Sequence, residues 1–283
     1  MNKYKNLLNH CEDMNQLWNE GCNFYEGKNG VDQDFGKAFK LFEKAASLGS
    51  SDAENRVGYM YGNGQGVKKD EKAAFSWYLK SAGHGNAKGQ SNVGWCLING
   101  FGTAIDYPQA IQYLEKAMSQ PSFPDLAPSL LGEMYEKGMG IERDLCKAFS
   151  YYLMAGDLGN DYSKNQIDRL EGLLGNEARV IYEEASKSGN KLARKNLDEV
   201  EVKQRLRSAK DLWERGRNLV SKEPVKAEEL LLKALTILEN ELEAGYENVS
   251  ISTSENGFMS TTNLGKNVAD ALGEFYCHNG PDY

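Results

Sequence analysis

The residues that could do chemistry in this chain are a glycine-rich turn, two pairs of adjacent acids, three histidines and five cysteines. Gly62-Asn63-Gly64-Gln65-Gly66, with Lys68 and Lys69 behind it, has the composition of a loop that cradles phosphate through backbone amides. That chemistry requires a strand before the loop and a Lys-Ser/Thr pair in register after it, and neither is present. Glycines also recur at matching places further along the chain, so the segment reads as a repeated turn. Glu183-Glu184 and Glu228-Glu229 fall on helical patterns, where adjacent acids read as solvated faces and not as an acid–base dyad. Cys11, Cys22, Cys96, Cys146 and Cys277 are odd in number and irregularly spaced, the pattern of packed, reduced thiols. There is no CxxC, and His10, His84 and His278 lie far apart, so no zinc ligand set emerges and no cofactor is expected. His84 falls in a turn and reads as exposed and inert. Asn248-Val249-Ser250 fits a glycosylation acceptor, but no secretory signal supports its use.

With no catalytic constellation, the informative residues are those that build a surface. Hydrophobic content of 40% with 26% charge is that of a folded protein. A net charge of −8 argues against nucleic acid or an anionic membrane surface as partner, and leaves a basic protein open. Met1 to His10 holds no apolar stretch of signal-peptide length, and no window approaches a membrane span. The chain is accordingly expected in the cytoplasm, or exported by a route that reads other signals.

Asp34, Asp70, Asp106 and Asp144 stand 36, 36 and 38 residues apart, each with the same neighbours. Four positions after each comes Ala38, Ala74, Ala110 or Ala148, then an aromatic or aliphatic run. Nine positions before each sits Tyr25, Tyr61, Leu97 or Tyr135, and Gly58, Gly94 and Gly132 precede the last three aspartates by twelve. A period of this length, built from two helical patterns, is the signature of a solenoid. In the second unit the first helix contains Val57-Gly58-Tyr59-Met60-Tyr61, and Asp70 suits the N-cap of the second. Gly58 costs roughly 1 kcal/mol of helix propensity relative to alanine, so its recurrence implies a backbone approach too close for a side chain.

This pattern of LG-x-x-Y, G-x-G-V, an aspartate three residues on, then K-A-F-x-W-Y, resembles the Sel-one-like repeat family, relatives of the tetratricopeptide repeats. Residues 17–160 hold four such units, best matched at Gly58/Tyr61/Gly64/Gly66/Val67/Asp70 and Leu131/Gly132/Tyr135/Gly138/Gly140/Asp144. In the first unit Gly21 and Gly27 come one place early, with Cys22 and Lys28 where glycines are expected. The resemblance implies an all-α, right-handed α-α superhelix of helical hairpins acting as a scaffold or adaptor. Residues 1–16 read as an N-terminal cap and 161–246 as degenerate hairpins, with helices expected over 167–174, 178–188, 203–221 and 225–244. Residues 247–263 read as a loop or linker. Residues 264–283 read as the first helix of a further repeat, truncated or capping, with Gly280-Pro281-Asp282-Tyr283 opening its turn. Some secreted cysteine-rich relatives resemble penicillin-binding proteins with weak β-lactamase activity and bridge each repeat with a cysteine pair. No repeat here has two cysteines at recurring positions, which counts against that hydrolase reading.

At about 100° per residue, the helix face opposite each glycine slot holds the positions three before, one after and five after it. Taking Cys22 as the first slot, these are Asn19, Asn23 and Gly27; Asn55, Tyr59 and Asn63; Ser91, Trp95 and Asn99; Ser129, Glu133 and Lys137. First helices of such solenoids line the concave side, so this polar stripe would pave a groove, with Tyr59 and Trp95 as aromatic anchors and amides for a partner's backbone. Trp95 has a second reading, as packing between repeats. The expected function is a non-enzymatic bacterial adaptor or regulator gripping a protein or peptide. An inhibitor or immunity-type protein, suited by acidity to a basic partner, comes next, then the hydrolase and a plain structural spacer.

Overall fold

Each aspartate of the repeat starts a helix. The carboxylates of Asp34, Asp70, Asp106 and Asp144 accept from the amides of Lys37, Ala73, Gln109 and Lys147 at 2.9–3.0 Å. The opposite ends are marked by Gly64, Gly100 and Gly138, C-caps in the left-handed region at φ 68°, 69° and 69°. The computed structural model describes residues 2–244, 250–252 and 258–279. Two compact units divide the chain, Met1–Ile181 and Tyr182–Tyr283.

The first unit is a run of hairpins. First helices α1 (Asn2–Glu26), α3 (Ser51–Asn63), α5 (Ala87–Asn99) and α7 (Leu126–Lys137) alternate with second helices α2 (Phe35–Ser47), α4 (Glu71–Gly83), α6 (Tyr107–Met118) and α8 (Leu145–Asp157). Helix α9 (Asp161–Leu174) packs on α8, and α10 (Asn176–Lys187) carries the boundary between the units. Helix α3 also touches α5 and α5 touches α7, while no pair of second helices among the described residues packs to a similar extent. The closer row lies on the inside of a curve, so the first helices form the concave face of this unit. Of the segment 1–16, expected as an N-terminal cap, residues 2–16 are continuous with the rest of α1, since no glycine or proline precedes Gly21.

Close approach within a hairpin explains the recurrent glycine. A Cβ on Gly58 would lie 2.8 Å from the Tyr78 ring, on Gly94 2.7 Å from Leu114 and on Gly132 2.8 Å from the Tyr152 ring. In the first hairpin that position is Gly21, 2.6 Å from the Phe42 ring, and not Cys22. The backbone agrees: Asp70, Asp106 and Asp144 donate their amides to Tyr61, Leu97 and Tyr135, whereas Asp34 donates to Phe24 and not Tyr25. The first unit is one residue longer between Asn29 and Val31, which displaced the sequence alignment of α1 by one place. The next turn glycine couples successive hairpins. A Cβ on Gly66 would lie 2.1 Å from the Phe35 carbonyl oxygen, and on Gly102 2.0 Å from that of Glu71. Between these joints run the buried clusters, one around Phe39, Phe42, Val57 and Met60 and another around Tyr78, Val93, Leu97, Leu114 and Leu131.

In the second unit α11 (Lys191–Leu219) pairs with α12 (Pro224–Glu243), and α13 (Thr261–Asn279) packs on α12. Their core includes Val202, Leu206, Leu231, Leu238, Leu264 and Val268. Gly216 repeats the close approach, its Cβ position falling 2.9 Å from Leu231. Helix α11 begins twelve residues before the expected 203 because Asn190 caps it and no breaker intervenes. The segment expected as loop holds two three-residue strands, Ser250–Ser252 and Phe258–Ser260, paired antiparallel with Ile251 opposite Met259. Helix α13 runs through most of the segment 264–283; the turn at 280–283 lies outside the described residues, as does Asn248.

Candidate partner-binding groove

The predicted stripe divides into three rows with different fates. Its first row becomes the seam between neighbouring first helices. Ser91 is fully buried and donates to the Ala87 carbonyl at 2.9 Å. Ser129 is also buried and accepts from Ser163 on α9 at 3.0 Å, and Asn55 accepts from Asn92 on α5 at 2.7 Å. A helical wheel for one helix places these positions outward; the curvature that brings α3, α5 and α7 together covers them. Ser91 and Ser129 are thereby removed from any partner's reach.

The second row is the open one. Tyr59 is 41% exposed, and Trp95 is half-buried, its ring 5.1 Å from that of Phe101 at 56°. Glu133 continues the row on α7 and Arg169 on α9. The third row closes the helix ends. Asn63 and Asn99 are exposed, and each amide donates to the carbonyl four residues back, of Tyr59 and Trp95, at 2.9 and 2.8 Å. Lys137 is ion-paired with Glu133 one turn away. In α1 the corrected register puts Trp18, Cys22 and Glu26 in the three rows. Trp18 packs on Phe42 at 5.1 Å; Asn19 is exposed, and Asn23, half-buried, accepts from Asn29 at 2.7 Å.

Several groove residues escaped the three-position rule. Arg56 lies 4.9 Å from the Tyr25 ring centroid and 5.9 Å from that of Tyr59, while the Tyr25 hydroxyl donates to Gln65 at 2.9 Å. Lys69 reaches over the Phe101 ring at 5.7 Å. On α7, Glu136 accepts from the Tyr152 hydroxyl at 2.9 Å and pairs with Arg169. Burial and this carboxylate hold the Tyr152 hydroxyl far above the usual phenol range. The available signal was an arginine among asparagines and aromatics, whose long side chain reaches past the angular sector its Cα occupies.

The thiols of Cys22, Cys96 and Cys146 are free. Burial is the largest cause raising the pKa of each, to about 12 for Cys96, so none is a poised nucleophile. Cys11, Cys277, His10 and His278 lie outside the described side chains. Among the described residues no three His, Cys, Asp or Glu converge as metal ligands, and no helix is long and apolar enough to cross a membrane. Glu229 pairs with Lys233, which lowers its pKa, as befits a solvated face. His84 is exposed as expected but not idle: its Nδ1 stands 2.7 Å from the fully buried Glu54, which Lys80 also approaches at 3.2 Å.

Stacked helical hairpins with close-approach glycines and an aromatic-lined inner row define an α-solenoid repeat protein. The Sel1 repeat family model matches residues 21–50, 51–86, 87–122, 129–160 and 212–236, more than half of the chain, and the chain belongs to that family. Sel1-repeat proteins generally mediate protein–protein interaction, typically without catalysis. Among solved structures, a Sel1 repeat protein from Oxalobacter formigenes is 25% identical with a TM-score of 0.53, over 78% of this chain and 86% of that one. The protective antigen c5321 of uropathogenic Escherichia coli, described as displaying an SLR fold, is 24% identical with a TM-score of 0.53. That match covers 95% of this chain but 58% of the antigen. No curated protein matches the chain.

Proposed function

We propose that this protein is a non-enzymatic adaptor or regulator that holds a protein or peptide segment along the first helices of its N-terminal unit. The observation that supports this reading is that Tyr59 and Trp95 hold equivalent positions on the touching first helices α3 and α5, one exposed and the other half-buried. Aromatic rings fixed on rigid helices offer large contact area at small entropic cost, the usual composition of binding hot spots. Asn63 and Asn99 flank them, and Glu133 with Lys137 extends the surface toward α9; Asn19, Asn23 and Asn55 contribute at its edge. In this reading the remaining faces set solubility.

The test is capture of partners from native lysate on wild-type chain beside a Tyr59→Ala/Trp95→Ala variant, followed by titration calorimetry with the purified partner. A partner held by wild type and lost by the folded variant supports the groove. Equal capture by both moves the binding surface elsewhere. A variant that unfolds shows Trp95 to be core, and the single Tyr59→Ala chain then carries the test.

A further inference from the structure

Charges along the inner face come in pairs: Glu26 with Lys28, Lys69 with Glu71, Glu133 with Lys137, Glu136 with Arg169. Arg56 is not paired in this way. Half-buried on α3, it faces the rings of Tyr25 and Tyr59, and among the described residues no carboxylate lies within ion-pair distance of it. Its field reaches Glu26, which Lys28 already holds, and the Cys22 thiol and the Tyr25 and Tyr78 hydroxyls, which burial keeps neutral. A guanidinium over an aromatic ring uses its face for the ring and keeps its edge N–H groups for an acceptor. Two rings thus steady a cation whose fork has no internal acid to grip.

We propose that Arg56 is the anion receptor of the groove, gripping the carboxylate of an acidic residue in a bound peptide segment that runs across α3 and α5 and rests an apolar side chain on Trp95. The proposal rests on the groove reading above and adds the chemistry of what is bound. Packed helices stand about 8–10 Å apart, and an extended chain rises about 3.3 Å per residue. An acid and an apolar residue about three apart therefore span neighbouring first helices. The net charge of −8 favours basic partners at long range. Free charges are screened beyond about 8 Å at physiological salt, so contact at Arg56 is decided locally.

A random dodecapeptide library is selected on the full chain, on Arg56→Gln and on Tyr59→Ala/Trp95→Ala, each first checked for native helicity by circular dichroism. Wild type is expected to enrich Asp or Glu spaced from an aliphatic or aromatic residue, and Arg56→Gln to enrich the apolar residue without the acid. A synthetic peptide from the wild-type pool should bind Arg56→Gln about tenfold more weakly. Its Asp→Asn (or Glu→Gln) version should lose the same factor on wild type and nothing further on the variant. Pools that lack acids, are rich in Lys and Arg, or keep their acid on Arg56→Gln overturn the role of Arg56. If those pools still require Tyr59 and Trp95, the groove stands. Absence of enrichment, or enrichment indifferent to both variants, sinks the groove and the proposal together. Should Arg56→Gln lose helicity, Arg56→Lys keeps the charge without the fork and should bind between the two.

Discussion

Replacing Gly132 with alanine tests whether the recurrent glycine is a steric requirement. The new Cβ would lie 2.8 Å from Cδ1 and Cε1 of Tyr152 and 3.1 Å from its Cγ. Carbon atoms pack best at about 3.5–4.0 Å, so the ring must retreat by roughly 0.7 Å. It has little freedom to do so, being fully buried with its hydroxyl tied to Glu136 at 2.9 Å. Overpacking of this kind costs about 1–3 kcal/mol, while alanine recovers about 1 kcal/mol of helix propensity. The net expectation is a loss of up to about 2 kcal/mol, and a chain about 1–3 kcal/mol less stable than one with an unhindered glycine-to-alanine change. Gly172→Ala in α9 is the matched control, with no atom within 4 Å of its Cβ position, and should gain about 0.5–1 kcal/mol. Tyr152→Phe frees the ring from Glu136, so the double variant should be at least 0.5 kcal/mol better than the two single losses added, roughly the smallest coupling such cycles resolve. Urea unfolding followed by far-ultraviolet circular dichroism and tryptophan fluorescence provides the readout. Only the first transition should be analysed, since repeat arrays need not unfold in one step. A Gly132→Ala chain stabilised as much as the Gly172→Ala chain would refute the close-approach argument.

Removing the N-cap carboxylate with Asp106→Ala should destabilise the same transition by about 1 kcal/mol, whereas Asp106→Asn should lose only a few tenths. Replacing both Lys80 and His84 by neutral residues leaves Glu54 buried without a counter-charge. A loss of about 2–4 kcal/mol is expected in urea melts, largely recovered by adding Glu54→Gln, because the cost is that of an uncompensated carboxylate. The Cys96 thiol keeps its proton in the folded chain up to about pH 12, while an unfolded cysteine releases it near about 8.5. Its contribution is therefore constant below that lower value and falls as pH rises above it. Wild type should lose up to roughly 2 kcal/mol more than Cys96→Ala between pH 8.5 and 10, and equal slopes would contradict the burial of this thiol.

What could be read in advance divides by the range of the interaction. Caps and slot glycines are local: Asp70 bonds three residues ahead, and Gly58 announces its conflict with Tyr78 through its own poor helix propensity. Both recur, and recurrence separates them from chance. The first unit misled by one place because its extra residue sits in a turn, leaving two plausible alignments that the Gly21–Phe42 contact and the Asp34–Phe24 hydrogen bond separate. The stripe failed at Ser91 and Ser129 for another reason. An angular wheel knows one helix, and those serines are covered by the next. Arg56 was passed over because its two rings, and the absence of an acid beside it among the described residues, are properties of the assembled surface. The strands at 250–252 and 258–260 are too short to show a period.

Gly66 and Gly102 each press their Cα against the backbone carbonyl of the preceding second helix, a meeting of main chain with main chain. In the first hairpin the same turn holds two left-handed residues, Asn29 at φ 55° and Gly30 at φ 82°, and a Cβ on Gly30 would meet nothing within 4 Å. A joint written in peptide groups asks nothing of its neighbour's side chains. Duplication or exchange of a hairpin there leaves compensation to the side-chain contacts beside the joint, such as Asn55 with Asn92, and to the third joint, where a Cβ on Gly140 would lie 2.3 Å from the Tyr107 Cβ. The array can lengthen by copying, and its inner rows remain free to diversify one helix at a time.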